Sequence, residues 1–141
     1  MFKRKHLMHR NTCLLICLSF SNTVFSEEAC DYSRPLASIT ACYEAKAKKS
    51  DDNLNDAFRK LKKAVEHCSY ENKATKAYWD GFIESQRSWI KMRDEQCIAK
   101  TSFYEKGSYS QQIELNKCRL MSTEQRYEYI EEEIKYINEL P

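Results

Sequence analysis

Chain breakers are almost absent from this sequence. Two glycines and two prolines occur in 141 residues, and all four (Pro35, Gly81, Gly107 and Pro141) stand far apart beyond residue 30. No segment shows the sustained polar–apolar alternation of a half-buried strand, so the pattern predicts an all-α chain of long helices. Proline suits an early helical position, and a first helix is expected just after Pro35. Its apolar series Tyr43, Ala47, Leu54, Phe58, Leu61, Val65 and Cys68 keeps heptad phase almost to Tyr70. The polar knot KKSDDN, residues 48–53, is expected to bend it.

A second helix is expected from about Lys73 to Ala99. Glycine inside a helix costs on the order of 1 kcal/mol against alanine, so Gly81 reads as the site of a close helix approach. KTSFYEKGSYS, Lys100 to Ser110, is the clear loop. Ile113 and Leu120 belong to a third helix, and STEQ (Ser122 to Gln125) reads as a capping box opening a fourth with Tyr127, Ile130, Ile134 and Ile137. One bent helix over both segments is the alternative. The expected architecture is a small bundle of three to four helices.

The second helix carries a seam with two polar members. Trp79, Ile83, Gln86, Ile90, Arg93 and Cys97 follow one another at steps of three and four, which marks a buried face. Gln86, Arg93 and neighbouring Asp94 are either a binding site or a satisfied polar layer that fixes helix packing. The second reading is favoured, with Asn55 and a carboxylate from another helix as partners, because a bidentate carboxylate offsets the cost of burying a guanidinium and specifies register. Trp89 beside them would exclude water.

The N-terminus reads as an export signal. MFKRKHLMHR is basic, CLLICLSF (Cys13 to Phe20) is an apolar run of eight residues, and SNTVFS places Val24 and Ser26 at the −3 and −1 positions of a cleavage site. A spanning helix needs about 20 apolar residues, so cleavage after Ser26, not anchoring, is expected. Glu27, Glu28 and Ala29 before Cys30 do not suit a lipoprotein signal. The expected product, residues 27–141, is one domain, periplasmic or secreted, with no membrane insertion.

Cleavage changes the charge. Of 23 Lys and Arg, four (Lys3, Arg4, Lys5 and Arg10) lie in the leader, leaving 19 against 21 Asp and Glu, a net of −2. A mildly acidic chain gives little support to nucleic-acid binding, which needs a concentrated basic surface. Cys30, Cys42, Cys68, Cys97 and Cys118 remain, in a compartment where disulfides form. No two of them lie two to four residues apart and His67 is the one histidine left, so no metal site is expected, and no cofactor motif is present. Catalysis is not expected either. His67 lies beside Cys68, and side chains at i and i+1 of a helix point apart.

Three blocks, DDNLNDAF, SQRSWIKMRDEQC and KCRLMSTEQRYEYI, resemble the N-terminal domain family of the lysozyme inhibitor LprI. The matching positions are Cys30, Cys42, Leu54, Asn55, Gln86, Trp89, Arg93, Asp94, Cys97, Cys118, Thr123 and Arg126. Phe58 stands where an aromatic hydroxyl is common, Met92 where an aromatic is often found, and Cys68 is outside the pattern. The resemblance implies a small exported helical protein that binds a lysozyme and performs no chemistry. A different class, an envelope structural or immunity-type module that binds another envelope protein or toxin, is the alternative.

Cys30 is expected to pair with Cys42, tying the incoming segment to the first helix, and Cys97 with Cys118, closing the loop. Cys68 would stay free or dimerise the protein. The stapled loop offers Phe103, Tyr104 and Tyr109 as anchors among small polar residues, with Lys106 at its tip, a composition suited to protein recognition. The competing surface is acidic: Glu128, Glu131, Glu132 and Glu133, read as a solvated face with Glu131 supported by Lys135.

Overall fold

The backbone is helical over most of its length, although the break between the first two helices, at residues 68–71, holds neither glycine nor proline. The computed structural model describes residues 29–140, so the leader, its cleavage site, the start at Glu27 and Pro141 lie outside the described residues. Three helices follow one another: α1 (Leu36–His67), α2 (Asn72–Lys100) and α3 (Tyr109–Glu139), with no strand among the described residues. The described residues are all-α, and their three helices lie within the expected three to four, with one helix spanning both of the last two segments.

Pro35 stands immediately before α1, where its fixed φ admits the first turn and Ser38 N–H bonds back to its carbonyl at 2.8 Å. KKSDDN does not interrupt α1. Ser50 faces the interior while Lys48 and Asp52 pair at 2.8 Å on the outside, so the polar run is an ordinary solvated face with one small buried member.

STEQ does not open a helix either. α3 runs through it unbroken, and Thr123 is 1% exposed. The cap lies earlier, in SYSQ: Ser108 Oγ accepts the Gln111 N–H at 3.1 Å, and Gln111 Oε1 reaches one residue past the cap to accept the Gly107 N–H at 2.7 Å, a variant of the capping box. Gly107 holds φ +80°, a conformation that favours glycine, and so ends the loop one residue before the cap. The loop proper is therefore residues 101–108, and Tyr109 is the first helical residue.

α1 and α3 run parallel and share the most extensive interface. Ile39 packs with Ile113 and Cys30 at one end, and Val65 with Ile137 at the other. α2 returns antiparallel along them. Leu54, Ala57, Leu61 and Val65 of α1, Phe82 of α2, and Ile130 and Ile137 of α3 form the main core. Around Phe82 lies an aromatic cluster, with Phe58 against Trp79 at 5.1 Å between centroids, Tyr78 against Phe82 at 5.9 Å and Tyr129 stacked on Phe82 at 6.3 Å.

The buried face of α2 differs from the expected seam. Its buried residues are Phe82, Gln86, Arg93 and Cys97, with Trp89 half-buried, whereas Ile90 is 42% exposed and Ile83 lies at the edge. The face is turned by about 40° from the heptad line at 100° per residue, which places the larger rings of Phe82 and Trp89 inward. Gly81 is exposed and a Cβ there would meet nothing within 4 Å, so no helix approaches it.

Cys30 is bonded to Cys42 and Cys97 to Cys118. The first bridge ties the segment before Pro35 to α1, and the second joins the end of α2 to α3. Cys68 is a free, half-buried thiol at the end of α1. Among the described residues no helix is long and apolar enough to cross a membrane.

Candidate functional site

Arg93 is the centre of a polar layer that joins all three helices. Its Nη1 donates to Asp51 Oδ1 of α1 at 2.7 Å and to Thr123 Oγ1 of α3 at 2.9 Å, and its Nε donates to Asp94 Oδ1 at 3.2 Å. The Thr123 hydroxyl points on to Asp51 at 3.5 Å, and Asp94 also pairs with Arg119 at 3.4 Å. Arg93 is 9% exposed, so its charge is matched where water is scarce. The carboxylate from another helix is Asp51. Asn55 is exposed and takes no part in this layer, because at 100° per residue it falls beyond the stripe led by Leu54, whereas Asp51 borders that stripe.

Arg126 holds a second layer, one step toward the other end. Its Nε donates to Gln86 Oε1 at 2.8 Å and its Nη2 to Ser85 Oγ at 3.3 Å, both neutral acceptors. The guanidinium lies over Tyr129 at 4.7 Å, Phe82 at 5.4 Å and Trp89 at 5.6 Å, and Arg93 lies over the same Trp89 ring at 5.1 Å. Burial pushes the Arg126 pKa down, with Tyr129 and Glu133 acting the other way. Beside this ring, between α2 and α3, opens a groove of about 260 Å³ lined by Trp89, Met92, Gln96, Ser122, Gln125, Tyr129 and both arginines.

At the end of the bundle the loop is held by its own bonds. Thr101 is buried and its hydroxyl donates to the Cys97 carbonyl at 3.0 Å; Tyr104 N–H bonds to the Thr101 carbonyl and Ser108 N–H to the Glu105 carbonyl. With the Cys97–Cys118 bridge behind it, this backbone presents Phe103 at 94% exposure, Tyr109 and Tyr104 partly exposed, and Lys106 in solvent. The loop and the arginine layers are separate regions.

The acidic series does not form one solvated face. Glu133 Oε2 accepts the Tyr78 hydroxyl at 2.6 Å, and Glu131 is half-buried, while Glu128 and Glu132 are exposed. Lys135 pairs with Glu139 at 3.9 Å and not with Glu131. Among the described residues no group of three or more His, Cys, Asp and Glu is disposed to hold a metal ion.

Asp51 and Thr123 were missed as partners of Arg93, and Ser85 as a partner of Arg126. A signal for Thr123 existed: it lies seven residues before Ile130 and fourteen before Ile137, in phase with the buried face of α3. No curated protein and no solved structure matches the chain. The sequence profile of the family described as "Lysozyme inhibitor LprI" matches residues 28–129, which contain both arginine layers, both disulfides and the loop, and the chain belongs to that family.

Proposed function

We propose that this chain is an exported bacterial binding protein that inhibits a lysozyme by occluding its cleft, without chemistry. The family supports a lysozyme as partner, and the basic, apolar leader and two disulfides fit export into an oxidising compartment. The observation that carries the reading is Phe103: a phenyl ring 94% exposed on a loop whose backbone is already fixed. Such a ring has a solvation cost with no folding gain, and a preorganised loop loses little entropy on binding. Tyr104 fills a sugar subsite in this reading, and Lys106 reaches the acidic catalytic groups.

The test compares Tyr104→Ala and Lys106→Ala with Glu128→Lys and Glu132→Lys in one lysozyme inhibition assay at low and moderate salt. These glutamates are the exposed ones, so their reversal spares the Tyr78–Glu133 bond. Loss of inhibition in the loop variants supports the reading. Loss only in the glutamate reversals, relieved by salt, would move the surface to α3. No inhibition by the parent protein would favour a module that binds another envelope protein or toxin.

A further inference from the structure

The two arginines that border the groove beside Trp89 are not equivalent. Arg93 is neutralised by Asp51 and Asp94, and its role is complete within the fold. Arg126 is bonded to Gln86 and Ser85, both neutral, and no ion pair among the described residues neutralises it. Its Nη1 makes no hydrogen bond among the described residues, while three aromatic rings and the two neutral acceptors hold the plane of the guanidinium in place. Glu133 acts on Arg126 only from beyond ion-pair distance, and a half-buried cation with a fixed fork and no carboxylate in direct contact is the arrangement that recognises one.

We propose that this groove is a binding site for a small carboxylate ligand of the N-acylated amino-acid type, with Arg126 as its anchor. Gln96, Gln125 and Ser122 line it and their side chains make no hydrogen bonds among the described residues, so their amides and hydroxyl are free to pair with an amide adjoining the carboxylate. Met92 is 47% exposed, and with the Trp89 ring it offers apolar contact to a short side chain. The volume of about 260 Å³ lies below the roughly 300–1,000 Å³ of sites for drug-sized ligands, which limits the occupant to about one residue. This site is remote from the loop and does not depend on lysozyme binding.

The terminal carboxylate of a free acyl amino acid and that of a peptide end share this chemistry. An internal acidic side chain does not place an amide in the same position. Three probes separate the cases in NMR titrations of the oxidised protein: N-acetyl-L-alanine, its neutral amide, and N-acetyl-L-glutamic acid α-amide, which carries only a side-chain carboxylate. A C-terminal dipeptide acid in place of acetylalanine distinguishes the peptide end from the free ligand. The signal followed is the Trp89 indole N–H, with the Trp79 indole, which does not line the groove, as internal control.

Saturable movement of the Trp89 signal by acetylalanine, absent with the neutral amide and with Arg126→Gln, is expected. Because Arg126→Gln removes packing as well as charge, Gln125→Glu is the second variant: position 125 is exposed, and a carboxylate there should weaken binding about tenfold by like-charge repulsion. Equal response to the neutral amide, response only to the side-chain carboxylate, unchanged affinity in Gln125→Glu, or no response at all would overturn the proposal.

Discussion

Arg93 reaches one carboxylate on α1, one on its own helix and a hydroxyl on α3, so its removal loosens α2 from both of the other helices at once. The side chains of Asp51 and Asp94 are 48% and 36% exposed, and water can partly resolvate them. Arg93→Ala is therefore expected to cost about 2–3 kcal/mol, less than the roughly 3–5 kcal/mol for breaking a fully buried pair. Urea unfolding of the parent and the variant measures this. The polar identity of this layer was legible in the sequence, since Gln86 and Arg93 stand a heptad apart among apolar neighbours. Its partners were not. Asp51 lies inside a run of charged residues that reads as solvated, and a border position one turn from Leu54 differs from its neighbours only by the rotation of α1, which its packing on α3 sets.

At the scale of the elements, the starts of α1 and α3 followed from Pro35 and from Gly107 with the Ser108 cap, and the errors came from local signals that tertiary packing overrode. STEQ and SYSQ both satisfy the capping pattern. Gly107 precedes only the second, and the Arg93 side chain claims the Thr123 hydroxyl of the first. Gly81 reads as a close approach, yet it faces open space, so Gly81→Ala should stabilise the protein by about 0.5–1 kcal/mol, measured as a raised urea midpoint with an unchanged slope. α2 and α3 also carry a pH dependence. Burial and the bond to Glu133 raise the Tyr78 pKa far above its ordinary value of 10.0. A raised pKa means that the unfolded chain releases this proton first. The contribution of Tyr78 is thus complete below about pH 10 and is lost as pH rises above it. Tyr78→Phe should lower stability at neutral pH and flatten part of the alkaline decline, as followed by urea unfolding at successive pH values.

For the whole molecule, a bridge between cysteines 21 residues apart in sequence locks the end of the bundle that carries the loop. Replacing Cys97 and Cys118 together by alanine should cost about 3 kcal/mol in the chain-entropy view and release the loop, so inhibition should fall even below the unfolding temperature. The all-α class and the stapled loop were legible because breakers and cysteines are sparse and distinctive. The parallel pairing of α1 with α3 was not, since three amphipathic helices of similar length carry no mark of which two bury the most surface together. Steady-state kinetics of a C-type lysozyme on a soluble oligosaccharide, with increasing amounts of purified residues 27–141, tests the occlusion reading most directly. Blocking of the cleft raises the apparent KM and leaves kcat unchanged; a fall in kcat at constant KM, or full activity under excess protein, would contradict it.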